Sequence, residues 1–243
     1  MKNWIYANEP DSTALLPRES SRKNKEGYMN ALKKWWGANW KNAVAVIITE
    51  IVTGFFLSFL INANFGTDPC TFMNLALAEK TGITFGTWQV LLNVILFVPM
   101  LIFSRTKYLG VGTIANMTLI GYASDFSRFV MSKIFPADFF THLNVRIIFL
   151  IVGLIGFVIC CAIYMNLDAG LVPYDSIPKM VYDHMHIKSF TPVRMCWDFL
   201  SIAIGILIGH HLPNIGNILM ALLLGPTISF VGNHFFKKLE TDA

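Results

Sequence analysis

The sequence predicts an all-α membrane protein in which six transmembrane helices form two inverted three-helix repeats, each with a short interfacial or re-entrant helix. Composition and an internal repeat predict this fold. Of the 243 residues, 54% are hydrophobic and only 14% are charged, whereas a soluble domain usually carries about 25% charged residues. The apolar stretches are continuous and long enough, at about 20 residues, to cross about 30 Å of hydrocarbon as helices.

The internal repeat is an offset of 104 positions, which sets residues 62–126 on residues 166–230 without a gap. The offset pairs Gly66 with Gly170, Pro69 with Pro173, Gly112 with Gly216, and Gly121 with Gly225. In a membrane protein, such a repeat predicts two halves about a pseudo-two-fold axis with any site between them, and we take the shared glycines and prolines as structural. The alternative is chance similarity in a chain rich in Leu, Ile and Val.

Apolar runs and turn residues divide the chain. The predicted spans lie near residues 43–62, 86–104, 110–132, 145–165, 191–209 and 214–236. The predicted domains are a disordered tail 1–24, an amphipathic interfacial helix 25–42, repeat one 43–135, repeat two 136–236 and a cytoplasmic tail 237–243. Trp35 and Trp36, beside lysines at helical spacing, indicate that residues 25–42 lie on the membrane surface. A helix that binds a partner protein is the alternative.

Charge placement predicts the orientation of the repeats. Three spans reverse the chain, so the second repeat is expected upside down relative to the first. Lys and Arg are more frequent in the amino-terminal tail and in the loops on its side of the membrane, which predicts that both termini are cytoplasmic. Arg105 and Lys107 fall on this side, whereas their repeat partners, Gly209 and His211, carry no such charge and fall on the other.

Each repeat contains a short helix between its first two spans. Asp68 followed by Pro69 predicts a helix start, and Gly82 its stop. In the second copy Pro178 is expected in the first turn, which makes Asp175 or Ser176 the predicted cap. These helices are too short to span, so they are either interfacial connectors or half-helices whose positive ends face a central cavity.

Polar residues within the spans are the candidates for a substrate or ion pathway. Arg194 and Asp198 are one helical turn apart and are expected to pair, as are Asp125 and Arg128. Glu50 has no partner in its own helix, so it is either a proton- or cation-linked carboxylate or is bonded to another helix. The complete candidate set is Glu50, Asp68, Thr113, Asn116, Asp175, Arg194, Asp198 and Asn217.

The sequence favours neither an enzyme nor a metalloprotein. Its four cysteines fit neither a zinc site nor a disulfide framework, and its histidines form no ligand set. Catalytic signatures, a phosphate loop and paired acid–base residues are absent from the sequence, so we expect no cofactor.

A net charge of +4 concentrated at the amino end suggests anionic lipid headgroups rather than nucleic acid. A homo-oligomer is left open.

Short glycine-based motifs resemble those of the YczE/YitT-type bacterial integral membrane proteins. They are Gly66-Thr67-Asp68-Pro69, residues 82–87, residues 110–116, Gly170-Leu171-Val172-Pro173-Tyr174-Asp175, Gly216-Asn217-Ile218 and residues 224–228. The resemblance implies a multi-span protein of the bacterial inner membrane, and the substrates of that family are mostly unassigned. Two departures from its pattern are Val172, where another glycine is usual, and Asn217, where the family favours threonine.

These observations predict a small secondary transporter or permease of a small-molecule substrate, with its site near the midplane between the repeats and a coupling proton or cation. The alternative is a non-transporting membrane regulator or scaffold that acts through a protein partner, to which residues 25–42 would contribute. Arg194 and Asp198 have Val90 and Val94 as repeat partners. We therefore expect the residues that carry a specific function to be among those that differ between the two copies of the repeat.

Overall fold

The computed structural model describes residues 17–104, 109–136, 138–167, 169–185, 190–209 and 212–231. The chain divides into two units, residues 1–41 and residues 42–243. The predicted tail at 237–243 lies outside the described residues, as do the first sixteen residues of the predicted tail at 1–24.

Across the described ranges the chain is helical. Its helices are α1 (Pro17–Ala63), α2 (Pro69–Thr81), α3 (Phe85–Ser104), α4 (Val111–Ile134), α5 (Leu143–Asn166), α6 (Pro173–Met185), α7 (Phe190–Gly209) and α8 (Ile215–Val231). A single 3-10 turn, Phe139–Thr141, precedes α5. The all-α class predicted from the sequence is confirmed.

Within the described residues, four segments are long and apolar enough to cross a membrane, so the chain is a multi-pass membrane protein. They are Trp40–Ala63, Phe85–Phe103, Leu143–Asn166 and Phe190–Gly209. Helices α4 and α8 lie where the third and sixth spans were predicted. Helix α4 is long enough but carries Asp125, Arg128 and Lys133, and the apolar part of α8, Ile215–Thr227, is shorter than a full span. Six spans therefore stay a prediction.

Helix α1 differs from the predicted amino-terminal organisation. It begins at Pro17, so residues 17–24, which we expected to be disordered, are helical. Proline is compatible with this start, because the first N–H groups of a helix have no partner within it. Residues 25–42 are helical as predicted, and their position on the membrane surface stays a prediction.

The short helices α2 and α6 both begin at a proline. Asp68 caps α2 through a 3.0 Å bond that its Oδ1 accepts from the Thr71 amide, and Gly82 ends the helix at a φ of 71°. Both predictions are confirmed. The predicted cap of α6 at Asp175 or Ser176 is wrong, because the Ser176 amide already donates to the Val172 carbonyl at 2.9 Å and the helix begins at Pro173.

Pro178 therefore lies inside α6 rather than in its first turn. It has no N–H to donate to the carbonyl four residues earlier, so α6 lacks one internal bond. The side chain of Pro178 is fully buried. Packing of this buried ring offsets the lost bond, and the sequence rule that placed Pro178 in the first turn did not include that packing.

The two short helices connect the long ones. Helix α2 packs against α3 and α7, and α6 packs against α7 and α3. Helices α3 and α4 cross at Gly86 and Gly121, where a Cβ on Gly121 would lie 2.8 Å from the Gly86 Cα. The largest core cluster joins the long helices through Leu57, Leu60, Phe85, Ile120, Phe157 and Met220.

The crossing of α3 and α4 gives a direct test of this packing. We expect Gly121→Ala to lower the free energy of unfolding by about 1–3 kcal/mol, because its methyl group would collide with backbone. A Cβ on its repeat partner, Gly225, would meet no atom within 4 Å, so Gly225→Ala should be neutral or slightly stabilising. Thermal unfolding of both variants in detergent would show the difference. Equal losses would contradict the close crossing.

Candidate functional site

A cavity of about 500 Å³ lies between α7, α8 and the amino-terminal ends of α2 and α6. Helix α5 contributes its carboxyl-terminal end through Tyr164 and Met165, and α8 contributes an apolar wall. The charged side chains that line the cavity are Asp68, Asp175, Lys179, Arg194 and Asp198. Four of the eight residues that the sequence singled out therefore face one space.

Arg194 is the centre of the charged cluster in this cavity. Its Nη1 donates to Asp175 Oδ1 at 2.6 Å and its Nε to Asp198 Oδ2 at 3.1 Å. The pairing of Arg194 with Asp198 was predicted from their spacing and is confirmed. Asp175 is a further partner that spacing along one helix could not reveal, because it comes from α6. The guanidinium thus holds α6 to α7.

Tyr174 completes the cluster, and the sequence indicated it only as part of a motif. Its hydroxyl donates to Asp198 Oδ1 at 2.9 Å and lies 2.8 Å from the Ser201 hydroxyl. The Arg194 guanidinium lies 5.5 Å from the centre of the Tyr174 ring. Both oxygens of Asp198 are therefore bonded, as a buried carboxylate requires. The one feature of the sequence that could have indicated this role is that Tyr174, an aromatic residue with a hydroxyl group, is next to Asp175 at a helix start.

Asp68 is the second acidic feature of the cavity. Its side chain is almost entirely buried, with 8% of the residue exposed. Oδ1 caps α2, whereas Oδ2 is buried and has no hydrogen-bond partner in the part of the chain that the structure describes. Burial raises the pKa of the Asp68 carboxyl above its usual range. Asp68 therefore keeps one unsatisfied acceptor beside the cavity.

Glu50 and Asn116 form a separate polar pair between α1 and α4. The Asn116 amide nitrogen lies 3.1 Å from both Oε1 and Oε2 of Glu50, and Glu50 is 1% exposed. Neither residue is among those that line the cavity. Glu50 is thus hydrogen-bonded to another helix, and its role as a proton- or cation-linked carboxylate stays a prediction.

Thr113 and Asn217 occupy matching positions at the starts of α4 and α8. The Gly110 amide donates to Thr113 Oγ1 at 3.2 Å, and the Asn214 amide donates to Asn217 Oδ1 at 2.8 Å. Asn217 also donates from Nδ2 to the Thr67 carbonyl at 2.9 Å. Both residues lie in helix starts and loop contacts. Neither is among the residues that line the 500 Å³ cavity, and Asn217 instead lines a second cavity of about 220 Å³.

The repeated glycines lie where backbones meet. Gly66 and Gly170 have φ angles of 125° and 109°, which side chains rarely adopt. A Cβ on Gly66 would lie 2.4 Å from the Asn217 amide nitrogen, and one on Gly170 would lie 2.6 Å from the Gly110 amide nitrogen. The Gly112 amide donates to the Ala169 carbonyl at 2.8 Å. Gly225 differs from these, because it lines the cavity and has open space beside it.

Potential metal ligands do not gather at this site. Among the described residues, no group of three His, Cys, Asp or Glu side chains could hold a metal ion. The four cysteines, Cys70, Cys160, Cys161 and Cys196, are all free thiols. The chemistry that this cavity offers is therefore that of carboxylates, a guanidinium, an ammonium group and aromatic faces.

Comparisons with known proteins identify a family and two relatives, and none of them has an assigned activity. A family model described as a family of unknown function, DUF6198, matches residues 40–233. The chain is 28% identical over 127 residues to the uncharacterized protein YyaS of Bacillus subtilis (strain 168), covering 52% of this chain and 61% of that protein. It is 22% identical over 199 residues to an uncharacterized protein of Haemophilus influenzae, covering 82% and 86% of the two chains. No solved structure matches.

Removal of the guanidinium tests the charged cluster. We expect Arg194→Met to lower the free energy of unfolding by about 3–5 kcal/mol, because it leaves Asp198 buried without its cation. The double variant Arg194→Met/Asp198→Asn should recover part of this loss, since the unpaired charge is then removed as well. Thermal unfolding in detergent measures both. A double variant that is less stable than the single one would contradict the assigned pairing.

The Glu50 pair gives a second, independent test. Glu50→Ala leaves the Asn116 amide buried without an acceptor, which we expect to cost about 1–3 kcal/mol before any loss of packing. Glu50→Gln keeps an acceptor and should cost clearly less. Exposed Glu79 serves as the control, because Glu79→Gln removes a carboxylate of the same kind outside the core. Equal unfolding temperatures for the Ala and Gln variants would contradict a role for this bond.

Proposed function

We infer the function of this chain from its site, because it belongs to DUF6198, a family of unknown function, and we propose that it is a small secondary transporter or permease. The substrate would bind in the cavity lined by Arg194 and Asp68, between two inverted three-helix repeats. The observation that carries this proposal is the cavity itself. It joins a volume suited to a small molecule with converging polar groups at the starts of two short helices.

Matching element starts support the inverted repeats. Pro69 and Pro173, which begin α2 and α6, are 104 positions apart, and so are Val111 and Ile215, which begin α4 and α8. These matching starts support a repeat with an offset of 104. The bond from the Phe72 amide to the Asp68 carbonyl, at 2.9 Å, recurs one offset later between Ser176 and Val172, also at 2.9 Å.

Exchanged contacts support a pseudo-two-fold axis between the halves. A Cβ on Gly216, in the second half, would lie 2.3 Å from the carbonyl of Phe65, in the first. The repeat partners of these two residues make the reciprocal contact, because a Cβ on Gly112, in the first half, would lie 2.9 Å from the carbonyl of Ala169, in the second. Each half thus supplies a loop to the helix start of the other, as two copies related by such an axis would.

A difference between the halves supports alternating access. Helices α3 and α4 meet backbone to backbone at Gly86 and Gly121. The repeat partners of these glycines, Phe190 and Gly225, instead both line the cavity between α7 and α8. One pair of helices is therefore closed while the matching pair is open. Exchanging these two arrangements would close the cavity on one side and open the other, which is how inverted repeats transport.

The predicted orientation places the opening of the cavity. With both termini in the cytoplasm of a bacterial inner membrane and α4 and α8 as the third and sixth spans, Lys179 and Phe190 lie on the cytoplasmic side. The cavity would then face the cytoplasm. Asp68 is the candidate for a coupling proton or cation within it, and Glu50 would act only through the packing of α1 on α4.

Closure of α7 on α8 is the direct test of this mechanism. In Phe190→Cys/Gly225→Cys, a disulfide should form during the cycle and stop transport, because the two positions would approach as Gly86 and Gly121 do. Proteoliposomes on a solid-supported membrane, challenged with a panel of amines, amino acids, carboxylates and sugars, would report the substrate-driven current. Peptide mass spectrometry would identify the cross-link.

The variants Phe190→Cys and Gly225→Cys, each with one added cysteine beside the four native ones, are the matched controls, and the oxidant should not stop their current. Absence of both the cross-link and any current across the panel would argue against a transporter. The regulator alternative would then be favoured if a stoichiometric partner co-purifies with the full chain and is lost when the apolar side chains of residues 25–42 are replaced.

A further inference from the structure

The basic side chains that line the cavity are already paired with carboxylates, whereas one of its carboxylates has an oxygen without a hydrogen-bond donor among the described residues. Both basic side chains that line the cavity already bind carboxylates, because Arg194 pairs with Asp175 and Asp198. The ammonium group of Lys179 lies 3.0 Å from Asp183 Oδ1. Asp68, in contrast, has the buried oxygen Oδ2, for which the described residues provide no donor. What the site lacks is therefore a positive or donating group.

The positive ends of the short helices do not reverse this balance. Asp68 caps α2 and Asp175 lies in the first turn of α6. Each helix start thus already has a carboxylate of its own at its positive end. An anion entering the cavity would meet these carboxylates, and the charge of the Arg194 guanidinium is already balanced by Asp175 and Asp198.

Most of the remaining lining is apolar or aromatic. Tyr164 and Phe190 face the cavity with Met165, Met195 and Leu222. Aromatic faces attract organic cations, and methionine side chains adapt to ligands of different shape. A metal ion would find few ligands on such walls, whereas an ammonium group on an apolar body would match both the carboxylates and the walls.

We propose that the cavity takes an organic ammonium ion, whose charged group lies at Asp68 and whose apolar or aromatic body lies against α5, α7 and α8. This substrate class rests on the proposed function, because it treats the cavity as the site of the transported molecule. Asp68 binds the ammonium group through Oδ2 while Oδ1 continues to cap α2. Arg194 positions Asp175 and Asp198 around the same space.

Three compounds with one aromatic body and different charge test this class. They are 1-naphthylmethylammonium, 1-naphthylacetate and the neutral 1-naphthylmethanol, each titrated by calorimetry into the purified full chain in detergent. We expect the ammonium ion to bind about ten- to one hundredfold more tightly than the other two, as a charge-assisted hydrogen bond would give. Tighter binding of the carboxylate, or equal binding of all three, would overturn the proposal.

Asp68→Asn assigns the charge preference to one residue. Asparagine is also a good helix cap, so the variant should fold and keep α2. We expect it to lose the preference for the ammonium ion. Glu79→Gln is the matched control, since it removes a carboxylate from the opposite end of α2, about 16 Å away at 1.5 Å per residue, and should leave the preference unchanged. A preference retained in a folded Asp68→Asn protein would overturn the role of Asp68.

The two proposals can fail separately. If an anionic compound drives a current that the Phe190/Gly225 cross-link stops, transport stands and the ammonium class is wrong. If the ammonium ion binds in an Asp68-dependent manner while neither current nor cross-link occurs, the ligand class stands and transport is wrong.

Discussion

Backbone contact at the repeated glycines is the constraint on which the rest of the structure depends. Gly66 and Gly170 adopt φ angles that side chains rarely allow, and each lies against the start of a helix from the other half of the chain. These contacts set where α4 and α8 begin, and they set where the loops enter α2 and α6. Since α2 and α6 carry Asp68 and Asp175, the positions of the cavity carboxylates follow from a contact that leaves no room for a side chain.

The charged cluster can exist only because its members satisfy one another. An isolated charge in a low-dielectric interior is costly, and a buried pair is stable only when its remaining atoms are also bonded. The charge of Arg194 is balanced by two carboxylates, and Asp198 meets this condition because Arg194 and Tyr174 bond both of its oxygens. Asp68 does not meet it, because its Oδ2 has no partner among the described residues. A ligand would therefore contribute most to this cavity by donating a hydrogen bond to that oxygen.

Sequence patterns within one helical turn predicted a helix cap, a helix stop and an ion pair correctly. They misplaced a helix start that depends on burial, and they could not predict the contacts between helices. The Asp68 cap, the stop at Gly82 and the pairing of Arg194 with Asp198 each follow from positions within one turn. The start of α6 was misplaced because burial of Pro178 outweighed its preference for a first turn. The bonds that Arg194 donates to Asp175 and that Asn116 donates to Glu50 join residues 19 and 66 positions apart. Residues so far apart in the sequence cannot be paired from their spacing alone, because their contact depends on how the helices pack.

The places where the two halves differ are also the places where the polar groups and the open space lie. At the matching positions, Gly86 and Gly121 allow α3 and α4 to touch, whereas Phe190 puts a large ring where a glycine would permit the same contact between α7 and α8. Val90 and Val94 on α3 correspond to Arg194 and Asp198 on α7. A second half that repeated the first strictly would close both sides alike and would carry valines in place of Arg194 and Asp198. The offset of 104 accounts for the matching glycines and helix starts, and three side chains that depart from it, those of Phe190, Arg194 and Asp198, line the cavity.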